Sequence, residues 1–195
     1  MVKRVFIIHG WGGKPEHGWY LWLKSELEKK GFEAYVPEMP NTETPTIEEW
    51  VPFLKGLVGK PDEDTRFVGH SVGCQAILRY LEALPKSAKV GGVVFVAPWM
   101  ELDKQTIEDE GEEVIAIAKP WVETPINWAK VLEHTNKFVA IFSDNDPYVP
   151  LSNSKIFESR LKAKIIIEKK KYHFDQASGI TKLPSILKAV LEIAK

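Results

Sequence analysis

A three-layer α/β domain, with a mostly parallel central sheet covered by helices on both faces, is the architecture this sequence predicts. Short β-branched runs alternate with longer stretches whose apolar residues recur three and four apart, the pattern of buried strands between amphipathic helices. The strands of such a sheet are buried on both faces, and Gly91-Gly92-Val93-Val94-Phe95-Val96 reads as a central one. The 195 residues, 44% of them apolar and 27% charged, supply one well-filled core and are too few for two ordinary domains. The span 1–195 is therefore read as a single domain.

Taken in order, Val5 to Ile8 is the first strand. Trp19 to Lys30 reads as a helix, with Leu23 and Leu27 on one face and Gly31 as its closing cap. Phe32 to Val36 is a strand, and Ile47 to Val58 a helix in which Pro52 removes one backbone donor. The strand Thr65 to Val68, the helix Val72 to Leu84 and the strand Val90 to Ala97 follow. The second half carries the strand Phe138 to Phe142, the helix Ser154 to Leu161, the strand Lys164 to Glu168 and a closing helix over Leu183 to Ala194.

The stretch 98–134 breaks this rhythm, mixing Trp99, Trp121 and Trp128 with the acidic run Glu108-Asp109-Glu110-Gly111-Glu112-Glu113. It is either a solvated helix face or loop, or a minimal cap that carries aromatic side chains toward a pocket.

Charge and cysteine content exclude several function classes. Lys and Arg number 26 against 27 Asp and Glu, a net charge of −1, so no basic footprint for nucleic acid or for an anionic membrane exists. The lone Cys74 rules out an internal disulfide framework or a thiolate zinc cluster. The first apolar run stops at His9-Gly10, short of a secretory core, and no window is long enough to span a bilayer. The expected location is cytoplasmic.

Gly69-His70-Ser71-Val72-Gly73 is a G-x-S-x-G pentapeptide lying between a predicted strand and a predicted helix. A serine on such a turn is held in a strained conformation above the sheet edge, and the flanking glycines let neighbouring backbone pass. The helix that follows aims its free amides at charge developing on a substrate oxygen. The bland alternative is a glycine-rich turn in which Ser71 only caps the next helix.

A serine nucleophile needs a base, and the base an acid. In chain order serine, acid, histidine, only His134 and His173 of the five histidines follow Ser71. His134 precedes the strand whose end carries the best acids, which leaves His173. In Ser143-Asp144-Asn145-Asp146-Pro147, at the carboxyl end of the strand 138–142, Asp146 is preferred because Pro147 stiffens it, with Asp144 as runner-up. The predicted oxyanion donors are the backbone amides of Val72 and Trp11, the latter in His9-Gly10-Trp11-Gly12-Gly13 after the first strand. His9 is expected to brace that loop.

These residues resemble the small α/β-hydrolases of the retinoblastoma-binding protein 9 and YdeN type. The resemblance runs through His9-Gly10-Trp11, His17-Gly18-Trp19-Tyr20-Leu21-Trp22, the Ser71 pentapeptide, Pro125-Ile126-Asn127-Trp128, Asp144 to Pro150 and His173-Phe174. It implies an α/β-hydrolase fold and the triad Ser71, Asp146 and His173. Members often carry glycine before the late histidine, where this chain has Tyr172, and Cys74 lies in no L-x-C-x-E segment, so retinoblastoma binding is not carried over.

Walker and dinucleotide loops fail at Pro15, no H-E-x-x-H occurs, and neither cofactor nor metal is assigned. The expected activity is hydrolysis of small carboxylic esters or related acyl compounds. Trp99, Trp121 and Trp128 are the candidate substrate-binding residues, and no protein partner can be named. The alternative is a non-catalytic binding protein on the same scaffold.

Overall fold

The computed structural model describes residues 2–195. The first strand lies one place in from an edge of the sheet. β1 (Arg4–Ile8) is followed by α1 (Tyr20–Glu28) and β2 (Glu33–Tyr35) on one side, and then α2 (Ile47–Val58) carries the chain back past β1 to β3 (Thr65–His70). From there it moves steadily outward through α3 (Val72–Glu82), β4 (Gly92–Val96), β5 (Phe138–Ser143), α7 (Ser152–Leu161), β6 (Lys164–Glu168) and α8 (Pro184–Ile193). Three further helices, α4 (Lys104–Glu110), α5 (Glu112–Glu123) and α6 (Trp128–Leu132), lie between β4 and β5. The strand order is β2-β1-β3-β4-β5-β6, and every pairing is parallel, in registers such as Phe6 with Phe67 and Val68 with Val94.

Helices α1 and α8 pack together on one face of the sheet, while α2, α3, α6 and α7 form a continuous row on the other. β3, β4 and β5 are buried along their whole length, whereas the edge strands are not: β2 buries only Ala34, and β6 is half-buried to exposed throughout. That is the burial a parallel sheet covered on both faces requires.

Helix α2 runs through Pro52. The Thr46 side chain accepts from the Glu49 amide at 3.3 Å while Glu49 Oε2 accepts from Thr46 Oγ1 at 3.0 Å. This reciprocal cap, together with the buried stripe Trp50, Leu54 and Val58, outweighs one missing hydrogen bond on the exposed face.

The excursion is smaller than 98–134. Helix α6 packs against α3 and α7, so it belongs to the sheet's cover. Only α4 and α5, joined at Gly111 with φ +103°, stand apart as a hairpin, and the acidic run forms their exposed junction.

Direction reverses between β1 and β3, and in open parallel sheets the crevice at the carboxyl ends of such strands receives ligands. Residues 9–13 follow β1 and Ser71 follows β3 at this place.

Candidate active site

Ser71 sits between β3 and α3 with φ 51° and ψ −122°, a conformation L-residues rarely adopt. Its amide donates to Val96 O at 2.9 Å, which fixes the turn to β4. The turn needs glycine on both sides. A Cβ on Gly73 would lie 2.5 Å from Ile8 O, and one on Gly69 would lie 2.9 Å from the Cys74 amide nitrogen. The Ser71 side chain makes no capping bond to α3, so the helix-cap alternative is set aside. Its Oγ instead accepts from Trp99 Nε1 at 3.4 Å. Cys74, one turn along α3, is buried, which pushes its thiol pKa up and leaves it an unreactive neighbour.

Asp146 and His173 meet directly. His173 Nδ1 lies 2.9 Å from Oδ2 and 3.1 Å from Oδ1 of Asp146, whose side chain is only 2% exposed. Because Asp146 Oδ1 also accepts from the amides of Tyr148 and Val149, at 2.9 and 3.1 Å, the carboxylate is aimed before histidine arrives. Nδ1 therefore carries the proton and Nε2 is left free to act as base.

Asp144 faces elsewhere, its Oδ1 accepting from the Lys170 amide at 2.7 Å. Ser143 Oγ accepts from the Lys171 amide at 3.0 Å and Asn145 Oδ1 from the Tyr172 amide at 2.9 Å. Four consecutive side chains, from the last residue of β5 onward, thus grip four consecutive residues of the loop after β6. The loop needs that grip, since Lys170, Tyr172 and Phe174 all have φ between 49° and 57°. Tyr172 occupies the left-handed region that glycine favours.

Ser71 and His173 line the same cavity of about 800 Å³, together with Trp99 and the Gly10–Gly13 loop. No hydrogen bond joins Ser71 Oγ to the His173 imidazole among the described residues, where Oγ is engaged by Trp99. Catalytic contacts of this kind are often open before substrate enters. The amides of Trp11 and Val72 have no protein acceptor among the described residues, so both are available to a ligand oxygen. The loop that presents Trp11 is braced by His9, whose Nδ1 donates to Gly10 O at 2.9 Å while Nε2 accepts from the Met39 amide at 3.1 Å. Burial lowers the His9 pKa, in keeping with this neutral tautomer.

Of the three tryptophans expected at the substrate, the structure brings only Trp99 to the cavity. Trp121 is a correction: it is 1% exposed, donates to Pro45 O at 2.9 Å and packs on Trp50, anchoring the base of the α4–α5 hairpin. Trp128 packs edge-on against Phe157, also away from the cavity. An indole buried in the hydrophobic body removes more apolar area from water than one at a pocket mouth, and composition alone could not tell the two apart. The hairpin faces the cavity with the aliphatic side chains Ile107, Val114 and Ile117.

Sequence reasoning passed over His70, at 2% exposed, and Tyr20, at 4%. His70 Nε2 lies 2.7 Å from the carbonyl oxygen of His173, Tyr20 Oη lies 2.6 Å from His70 Nδ1, and the Gly10 amide donates to Tyr20 Oη at 3.4 Å. The one signal in the sequence was a histidine as the second residue of the pentapeptide, where it has no room to be solvated. Among the described residues no group of three or more His, Cys, Asp or Glu is arranged to hold a metal ion, and no helix is long and apolar enough to cross a membrane.

A parallel sheet with a serine elbow after β3 and an Asp–His pair after β5 and β6 defines the α/β-hydrolase class, and a carboxylesterase structure from Nitrososphaera gargenis shares the fold at TM-score 0.69 and 15% identity, covering 99% of this chain and 91% of that one. Residues 5–192 match the serine hydrolase family model. The chain is 31% identical over 187 residues to the putative hydrolase YdeN of Bacillus subtilis, covering 95% of this chain and 93% of that protein. It is 28% identical over 185 residues to the serine hydrolase RBBP9 of Rattus norvegicus, covering 94% and 91%. The crystal structure of the B. subtilis ydeN product superposes with a TM-score of 0.88 at 29% identity, over 98% of both chains. The chain belongs to the serine hydrolase family.

Proposed function

We propose that this serine hydrolase cleaves small carboxylic esters or related acyl compounds through an acyl-enzyme on Ser71, with Asp146 and His173 completing the triad. The reading rests above all on one observation: a buried Asp146, pre-aimed by two backbone amides, holds His173 Nδ1 on the cavity that Ser71 lines from its strained turn.

Substrate enters with its acyl group against Trp99, Leu102 and the aliphatic side chains of the α4–α5 hairpin. Ser71 Oγ attacks the carbonyl carbon, and its proton passes to His173 Nε2. Asp146 stabilises the imidazolium and keeps the ring oriented. The amides of Trp11 and Val72 hold the oxygen as it becomes negative, an effect for which one lost donor typically costs about 3–4 kcal/mol of barrier. As the tetrahedral centre collapses, the C–O bond to the leaving group breaks and His173 returns its proton to that oxygen. Water then repeats the sequence on the acyl-enzyme and frees the acid.

Ser71→Ala should reduce p-nitrophenyl ester turnover by about 10⁴-fold or more and abolish covalent labelling by a fluorophosphonate, with an unchanged circular dichroism spectrum. A variant that labels as fast as the wild type would remove Ser71 from this role.

A further inference from the structure

We propose that His70 is a positioning residue for this site: with Tyr20 it ties the loop of the base to the turn of the nucleophile and to the loop of the oxyanion amides. The proposal rests on the assignment of Ser71 and His173 made above.

The hydrogen atoms in this cluster can be placed by elimination. The His173 carbonyl can only accept, so His70 Nε2 carries the hydrogen in their 2.7 Å contact. A neutral His70 then has a lone pair on Nδ1, and the Tyr20 hydroxyl donates to it at 2.6 Å. That leaves the Tyr20 oxygen to accept from the Gly10 amide. One tautomer satisfies every group, and a protonated His70 would not, because both ring nitrogens would then donate. Burial agrees, pushing the His70 pKa down to about 3.

The geometry gives these bonds a catalytic consequence. His70 is covalently joined to Ser71, and its ring grips the carbonyl of the base itself. Trp19, edge-on to His70 at 5.9 Å between ring centres, grips the next carbonyl, with Nε1 donating to Phe174 O at 2.9 Å. The base loop therefore hangs from two buried side chains at the point where Tyr172 and Phe174 adopt positive φ. Since Ser71 Oγ and the His173 imidazole share no hydrogen bond in this state, their separation is set by the backbone that His70 holds. Gly10, tied to the same ring through Tyr20, immediately precedes the Trp11 amide. Nucleophile, base and oxyanion loop thus refer to one imidazole.

The test compares His70→Met, His70→Gln and Tyr20→Phe with the wild type, using p-nitrophenyl ester kinetics normalised to serines titrated by a fluorophosphonate. Loss of the tether in His70→Met should lower kcat per titrated serine by roughly 10- to 100-fold, with KM within about threefold, because misplacement of reacting groups acts on the chemical step. Glutamine can donate to the His173 carbonyl and accept from Tyr20, so His70→Gln should recover most of the loss. Tyr20→Phe should fall between them. A His70→Met enzyme with wild-type kcat per titrated serine would overturn the proposal. If that variant does not fold, Tyr20→Phe decides: a lowered kcat supports the tether and an unchanged kcat ends it. A wild type inert to both ester and probe would instead remove the functional assignment, and the proposal with it.

Discussion

The turn that carries Ser71 and the loop that carries His173 both hold L-residues at positive φ, and they are held there by different forces. At Ser71 the constraint is steric and nearly local. β3 and α3 are continuous with the turn, and Gly73 lets the backbone of Ile8 and His9 pass within van der Waals distance. At His173 the constraint is polar and distant in sequence. Residues 170–173 are seized by the side chains of Ser143, Asp144, Asn145 and Asp146, with further grips from His70 and Trp19. A strained serine turn can be written into five consecutive residues, whereas a strained histidine loop needs a second loop to hold it.

This contrast can be broken at either end. The largest effect is expected from Asp146→Asn, which leaves the polar grip in shape while allowing the wrong His173 tautomer. Steady-state ester hydrolysis should show kcat reduced by roughly 10⁴-fold at neutral pH, the size this exchange has in other serine triads. A loss under tenfold would mean that the Asp146–His173 contact is structural only.

Gly73→Ala attacks the steric side. The new Cβ would sit 2.5 Å from Ile8 O and 2.6 Å from His9 O, both rigid backbone atoms of β1 and its loop. We expect a destabilisation of about 3 kcal/mol or more in denaturant unfolding. An unaltered midpoint would show that the elbow has slack.

Asn145→Ala removes one polar grip, the acceptor for the Tyr172 amide and for Ser143 Oγ. A loss of about 1–2 kcal/mol of stability is expected, with kcat lowered roughly tenfold and KM little changed. Equal losses in kcat and KM would point to the substrate wall rather than the base loop.

The smallest effect should come from Tyr172→Gly. Tyr172 has φ 49° and is 54% exposed, so little packing is lost. Relief of left-handed strain outweighs the greater freedom of glycine in the unfolded chain, for a net gain of about 0.5–1 kcal/mol. Thermal unfolding would show a slightly raised Tm, and a lowered one would mean that the four grips already remove the strain.

The same contrast explains what was legible in the sequence. The elbow, the strands and α2 across Pro52 were readable because glycine spacing and apolar period act over a few residues. Asp146 was preferred over Asp144 for the stiffness of Pro147, and the structure pairs Asp146 with His173 while Asp144 holds the Lys170 amide. The roles of Ser143, Asn145, His70 and Tyr20 were not readable, since each is a hydrogen bond to backbone or side chain between 27 and 103 residues away, or 10 in the case of Tyr20 with Gly10. Trp121 shows the reverse error, in which a residue suited to a pocket was drawn into the body by Pro45 and Trp50.

By itself, then, the sequence determined the alternation of strands and helices, the place of the serine turn and the residue types able to serve as acid and base, because periodicity, glycine and chain order are properties of short segments. Which aromatic side chains face the cavity, which tautomer His70 adopts and how the His173 loop is suspended were decided only when β1, β3, β4, β5 and β6 came side by side. Those outcomes depend on hydrogen bonds closed between buried groups, and a buried donor finds its acceptor through the packing of the whole sheet.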